Sequence, residues 1–270
     1  MNAKRKTARV VLRLDPLGTT TPALRAIAQL AHALDAELAA RLVEDSRLVD
    51  ALAFNAQSVE DVNNARRVER GLRRQIEGVA GDMAWSFDVV RCAGVIAVEC
   101  ALHADDLFAI ALPEIEHAMS ILRDEISNGL ARTSGVLLMP RAQPQPNRPI
   151  VGLVTDEAGL SQIVESAADL ATRFRQQLSF VVVDDGDLFA RVRATAASHW
   201  TGPGAVALHP VPTSQMDILA AYVRNLRPKL VVLAPSPESI QELLARPRLL
   251  RELGAPILLL RPAQDSDRPE

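Results

Sequence analysis

The chain alternates short apolar runs with longer segments whose apolar residues recur every three or four positions. Val10–Leu14 is short, β-branched at its start and closed by Asp15-Pro16, the pattern of a buried strand running into a turn. From Thr19 to Leu34, the residues Leu24, Ile27, Ala28, Ala31 and Leu34 share one helical face, and the threonines with Pro22 mark its start. The alternation continues through strand Glu37–Val43, helix Val59–Val79, strand Trp85–Val90, a short helix Val95–Leu102, strand Leu107–Ala111, helix Glu114–Leu130 and strand Val136–Met139. In the last long helix Ile115, Met119, Leu122 and Ile126 point inward. The second half predicts strand Val151–Thr155, helix Leu160–Phe174, strand Leu178–Val183, helix Leu188–Ala197, strand Val206–Leu208 and helix Met216–Leu226. Strand Leu230–Ala234, helix Ser239–Leu253 and strand Ile257–Leu260 complete it. Strands that alternate with helices need crossover connections, so each sheet is parallel and covered on both faces.

The halves are separated by Pro140–Pro149, which holds four prolines in ten residues and continues neither a helix nor a central strand. The expected organisation is a first domain over 1–140, a linker over 141–149, a second domain over 150–264 and a polar tail over 265–270. At 270 residues the chain suits two domains of roughly 135 each.

The halves also match element by element. Val10–Asp15 aligns with Val151–Asp156, Leu42-Val43-Glu44-Asp45 with Val182-Val183-Asp184-Asp185, Leu107–Ala111 with Leu230–Ala234, and Val136–Gln143 with Ile257–Gln264. The offset between matched positions falls from 141 (Val10 to Val151) to 121 (Val136 to Ile257), so the second copy has the shorter second helix.

With an acid closing the first strand twice and Val-Glu-Asp or Val-Asp-Asp closing the second, each half resembles a universal stress protein domain, over residues 8–140 and 149–262. The segment Gly94–Ala111 is similar to that family's short helix, acidic pair and fourth strand. The resemblance implies two tandem doubly wound α/β domains, each with a five-stranded parallel sheet of order 3-2-1-4-5. It also implies that they pair through their fifth strands, Val136–Met139 and Ile257–Leu260, as an internal pseudo-dimer, with the chain itself a monomer or a homodimer.

Candidate chemistry is sparse. Ligands of doubly wound sheets bind beyond the carboxyl ends of the strands, at the switch point. By resemblance, Asp15, Val43, Asp156 and Val183 are the cleft positions, with the two acids beside adenine and ribose in ATP-binding members. Taken alone, each acid is an ordinary turn start or helix cap. ATP-binding members carry Gly-x-x-Gly, nine residues, then Gly-Ser or Gly-Thr after the fourth strand. Here the loops read Ala111-Leu112-Pro113-Glu114-Ile115-Glu116-His117 and Ala234-Pro235-Ser236-Pro237-Glu238-Ser239, without a glycine. No other phosphate-cradling motif and no nucleophile elbow occurs. No two of His32, His103, His117, His199 and His209 share i,i+3 or i,i+4 spacing, so no metal site is expected. The acid pairs Glu44-Asp45 and Asp184-Asp185 read as solvated loop charges, and Asp105-Asp106 as a helix-to-strand turn. Arg66, Arg67, Arg70, Arg73 and Arg74, mixed with Glu60, Asp61, Glu69 and Glu77, read as a salt-bridged solvent face whose extra length is a candidate partner surface.

A net charge of -3 and 3% aromatic residues argue against a nucleic-acid partner. Cys92 and Cys100 supply neither a disulfide framework nor a thiolate zinc site and read as reduced thiols. No apolar run approaches the roughly 20 residues that span a bilayer. The basic start Met1–Arg9 leads into a strand-like run rather than a signal-peptide core, so the expected setting is cytoplasmic, without a membrane partner. The functional expectation is a non-catalytic stress-response module that binds a protein partner or a small ligand. It has no cofactor; an ATP-binding or slowly ATP-hydrolysing universal stress protein is the alternative.

Overall fold

A computed structural model describes residues 8–14, 20–45, 59–92, 102–111, 118–140, 147–157, 159–183, 186–212, 218–234, 236 and 252–261. The chain divides into two compact units, Met1–Gln143 and Pro144–Glu270, and the division falls within the proline-rich stretch.

Unit 1 runs β1 (Arg9–Leu14), α1 (Thr21–Leu34), β2 (Glu37–Asp45), α2 (Val59–Ala80), β3 (Trp85–Cys92), β4 (Leu107–Ala111), α3 (Ala118–Arg132) and β5 (Gly135–Met139). Its strands lie in the order β3-β2-β1-β4-β5, every neighbouring pair parallel. Unit 2 runs β6 (Ile150–Val154), α4 (Leu160–Phe174), β7 (Leu178–Val183), α5 (Asp187–His199), β8 (Ala207–Val211), α6 (Leu219–Asn225), β9 (Leu230–Leu233) and β10 (Ile257–Leu260). Here the order is β10-β9-β6-β7-β8, again all parallel. The fold is α/β, and in unit 2 the central strand β6 and its neighbours β7 and β9 are buried along their length, as helices on both faces require. No helix among the described residues is long and apolar enough to cross a membrane.

The first helix of each unit shows how local chemistry sets its bounds. Thr20 caps α1, its hydroxyl accepting the Ala23 N–H at 3.4 Å, and Pro22 occupies the first turn. Both helices stop in the same way. Asp35 and Arg175 adopt left-handed backbone (φ 54° and 52°), and the next residues, Ala36 and Gln176, donate back to Ala31 and Ala171. This is a Schellman closure, reached in both places without glycine.

Sequence-based bounds shift by a few residues. The strand expected over Val206–Leu208 continues to Val211 through Pro210. That is tolerated because β8 is an edge strand, where a missing N–H breaks no ladder. The helix expected to start at Glu114 is described from Ala118. The short helix at 95–102 and most of the helix at 239–253 lie outside the described residues. As the falling offset requires, α5 has 13 residues against 22 for α2.

The strand registers make the units comparable position by position. With the closures at Asp35 and Arg175 matched, Val10 corresponds to Ile150; Leu12 pairs with Ala40 and Ala40 with Phe87, and in unit 2 Gly152 pairs with Phe180 and Phe180 with Leu208. Leu208 therefore stands where unit 1 has the core residue Phe87, and His209, one position further on, faces the opposite side of the sheet. The His209 Nδ1 lies 3.2 Å from the Tyr222 hydroxyl of α6, and the rings meet edge to face. Burial pushes the His209 pKa down. The folded state then takes up its proton at lower pH than the unfolded state. Its stability contribution is full above about pH 6.5 and is lost as pH falls toward the folded value. Urea midpoints of unit 2 should therefore drop between neutral pH and about pH 5. His209→Phe, which keeps an aromatic ring and removes the titrating nitrogens, should flatten that dependence. An equal slope in the variant would rule out His209 as its origin.

Candidate functional site

In each unit the first and fourth strands are neighbours at the point where the strand order reverses, and a doubly wound sheet offers its crevice at their carboxyl ends. In unit 1 these are the ends of β1 and β4. Asp15 and the loop at 112–117 lie outside the described residues. Val43 is half-buried on β2, paired in register with Val90. Arg13, the penultimate residue of β1, places its Nε 3.2 Å from Oε1 of Glu125 on α3. Glu125 is 2% exposed. Reading α3 for apolar residues missed this pair. The signal was available, because Glu125 falls three residues after Leu122 on the inward stripe and Arg13 interrupts an apolar strand.

Unit 2 is described more fully. Asp156, half-buried, follows Thr155 just beyond β6, and the Thr155 hydroxyl approaches its Oδ2 at 3.5 Å. Val183, almost fully buried, ends the neighbouring strand β7. The two predicted positions thus lie at the ends of adjacent strands. Glu157 is ion-paired with Arg191 of α5. The first turn of α4 is pinned by Gln162, whose Nε2 donates to the Arg261 carbonyl at 2.7 Å, just past β10. Gly159 is pressed so closely on the end of β9 that a Cβ there would overlap the carbonyl oxygen of Ala234. The loops after β6 and β9 are therefore in van der Waals contact at this point.

Two other sequence readings change character. Asp105 is an exposed turn residue, but Asp106 is completely buried. Its carboxylate accepts from Arg9 Nε at 3.0 Å, Arg9 Nη2 at 2.6 Å and the His103 N–H at 2.8 Å. The bond from Arg9 raises the Arg9 pKa further. The cluster lies at the amino ends of β1 and β4, away from the crevice, and is structural. On α2 the five arginines are exposed, as expected, but among the described residues no ion pair joins them to Glu69 or Glu77. Arg70 Nε instead donates to the Arg66 carbonyl, and the Arg73 guanidinium lies 4.9 Å above the Phe87 ring. Among the described residues no group of three His, Cys, Asp or Glu side chains is placed to hold a metal ion. Asp184-Asp185 lie outside them.

Strand order, parallel pairing and crossover helices place the chain in the universal-stress-protein type of Rossmann-like α/β fold. A universal stress protein from Archaeoglobus fulgidus DSM 4304 matches 97% of this chain and 100% of its own length, with a TM-score of 0.66 and 12% sequence identity. A functionally unknown protein from Pseudomonas aeruginosa PAO1 matches 96% of this chain and 94% of its own, with a TM-score of 0.57 at 15% identity. The cytoplasmic domain of a prokaryotic cation chloride cotransporter matches 95% and 96%, with a TM-score of 0.51 at 12% identity. At these identities the likeness is one of fold. No protein-family model and no curated protein sequence matches this chain.

Proposed function

We propose that this protein is a non-catalytic stress-response module of the universal stress protein type that binds a protein partner or a small ligand and does not grip nucleotide phosphates. The observation that carries the reading is the chemistry of the loops after β4 and β9. A phosphate site at a helix start needs several free backbone N–H groups, and glycines let them approach without a Cβ in the way. Here Pro113, Pro235 and Pro237 lack an N–H, and Glu114, Glu116 and Glu238 bring negative charge to the same stretches. The closeness of Gly159 to Ala234 supports the reading in unit 2, and in unit 1 the pairing of Arg13 with Glu125 uses up a cation at the strand ends.

Losing two charge-assisted hydrogen bonds at about 1.5–3 kcal/mol each weakens ATP by roughly 10²- to 10⁴-fold. Asp15 and Asp156 then serve an uncharged or cationic ligand on the adenine side. Calorimetric titration with Mg-ATP at low ionic strength should give a dissociation constant well above about 10 µM. A value at or below that would establish the ATP-binding alternative instead.

A further inference from the structure

Unit 2 holds a recess of about 510 Å³ between α5 and the edge strand β8, within the size range of small-molecule sites. Phe189, Arg193 and Ala197 follow one another at four-residue spacing and line one wall from α5; Val206 and Leu208 line the other. The connection Trp200–Ala205 closes the end. It stands at the amino end of β8, so it is separate from the crevice at the carboxyl ends.

Three features specify an occupant. First, Trp200 is held in place before any ligand arrives. Its Nε1 donates to the Gly204 carbonyl at 3.0 Å, its backbone N–H to Ala196, and Gly202 lies so close to the ring that a Cβ there would overlap it. With the indole N–H already satisfied, Trp200 offers ring surface rather than a polar handle. Second, the short side chains Ala197 and Ala205 leave room between the aromatic and aliphatic walls, which suits a flat ring. Third, among the described residues Arg193 is the only charged side chain in the lining, no acid joins it there, and no ion pair holds it. Unit 1 has no counterpart in this form among the described residues: its α2 is longer, and Arg73 already covers Phe87, at the register position of Leu208.

We propose that this recess binds a small planar aromatic molecule carrying one anionic group, with the ring against Trp200 and Leu208 and the anion on Arg193. The chain has two tryptophans, so in a Trp85→Phe protein the emission reports Trp200 alone. The probes are 8-anilinonaphthalene-1-sulfonate and its uncharged relative N-phenyl-1-naphthylamine. The sulfonate should quench Trp200 saturably with one site per chain. Arg193→Gln should weaken the sulfonate roughly tenfold and leave the uncharged probe unchanged. Ala197→Phe, which fills the recess from an exposed helix position, should weaken both. Non-saturating quenching, or affinities indifferent to Ala197→Phe, would overturn the site. Equal response of both probes to Arg193→Gln would overturn the anionic class. Circular dichroism and urea midpoints matching the parent establish that both variants are folded.

Discussion

Asp106→Ala is expected to destabilise unit 1 by about 3 kcal/mol, the lower end of the range for breaking a buried ion pair. The carboxylate is fully buried and receives three donors, two of them from Arg9. Arg9 keeps some contact with water (22% exposed) and the attraction of Glu37, so losing this partner costs less than for a wholly buried charge. The backbone of the same residue is also tied down: its carbonyl accepts from the N–H and the hydroxyl of Ser134, and its N–H donates to His103. Asp106 therefore fixes the starts of β1, β4 and β5 relative to one another. Urea unfolding followed by Trp85 in a Trp200→Phe background isolates unit 1. Asp106→Asn, which can still accept the His103 N–H, should lose less, and the exposed Asp105→Ala should stay within about 0.5 kcal/mol. A loss below about 1 kcal/mol for Asp106→Ala would show that the pair does not fasten these strands.

Phe180→Ala is expected to cost unit 2 about 3–5 kcal/mol, the usual range for emptying a fully buried aromatic position. Phe180 is 0% exposed in the middle of β7. Its ring lies over Gly152 of β6, where a Cβ would overlap ring atoms Cδ1 and Cε1 and press on Ile163. Gly152→Val alone should therefore destabilise by about 1–3 kcal/mol through overpacking. Together the two changes should cost less than the sum of the single losses, because the valine enters the space the ring vacates. Urea unfolding followed by Trp200 in the Trp85→Phe protein measures this. Strict additivity would show that the glycine and the ring are not shaped to each other.

Most of the fold was legible because its signal is local. A run such as Leu178–Val183, or the stripe Ile163, Val164, Ala167, Leu170 and Ala171, states its period within one element, and burial follows that period. Contacts that join distant parts were not legible. Arg9 and Asp106 are 97 residues apart, and no spacing rule says which arginine meets which acid. The pair Asp105-Asp106 does sit at a turn, but burial of one and exposure of the other depends on where β4 starts against β1. The α2 arginines show a different limit: alternating charge on a helix suggests pairing, yet solvated side chains gain little from it. Of the candidate cleft positions, Asp156 lies just beyond β6, Val183 ends β7, Val43 lies two residues before the end of β2, and Asp15 lies outside the described residues. The recess beside β8 had no sequence signal, because it is made of a helix face, a turn and an edge strand that meet only on folding.

The helix closures at Asp35 and Arg175 bear on durability. A side chain with a Cβ held in left-handed backbone carries roughly 1–2 kcal/mol of local strain. Against a total stability of about 5–15 kcal/mol for a folded domain, that is a visible fraction in each unit. Glycine would remove it while leaving both backbone hydrogen bonds in place. The chain thus stops short of the most long-lived version of its own backbone. An engineer seeking a hardier scaffold would find the easiest reserve at these two helix ends, which lead into the amino ends of β2 and β7, away from the crevice.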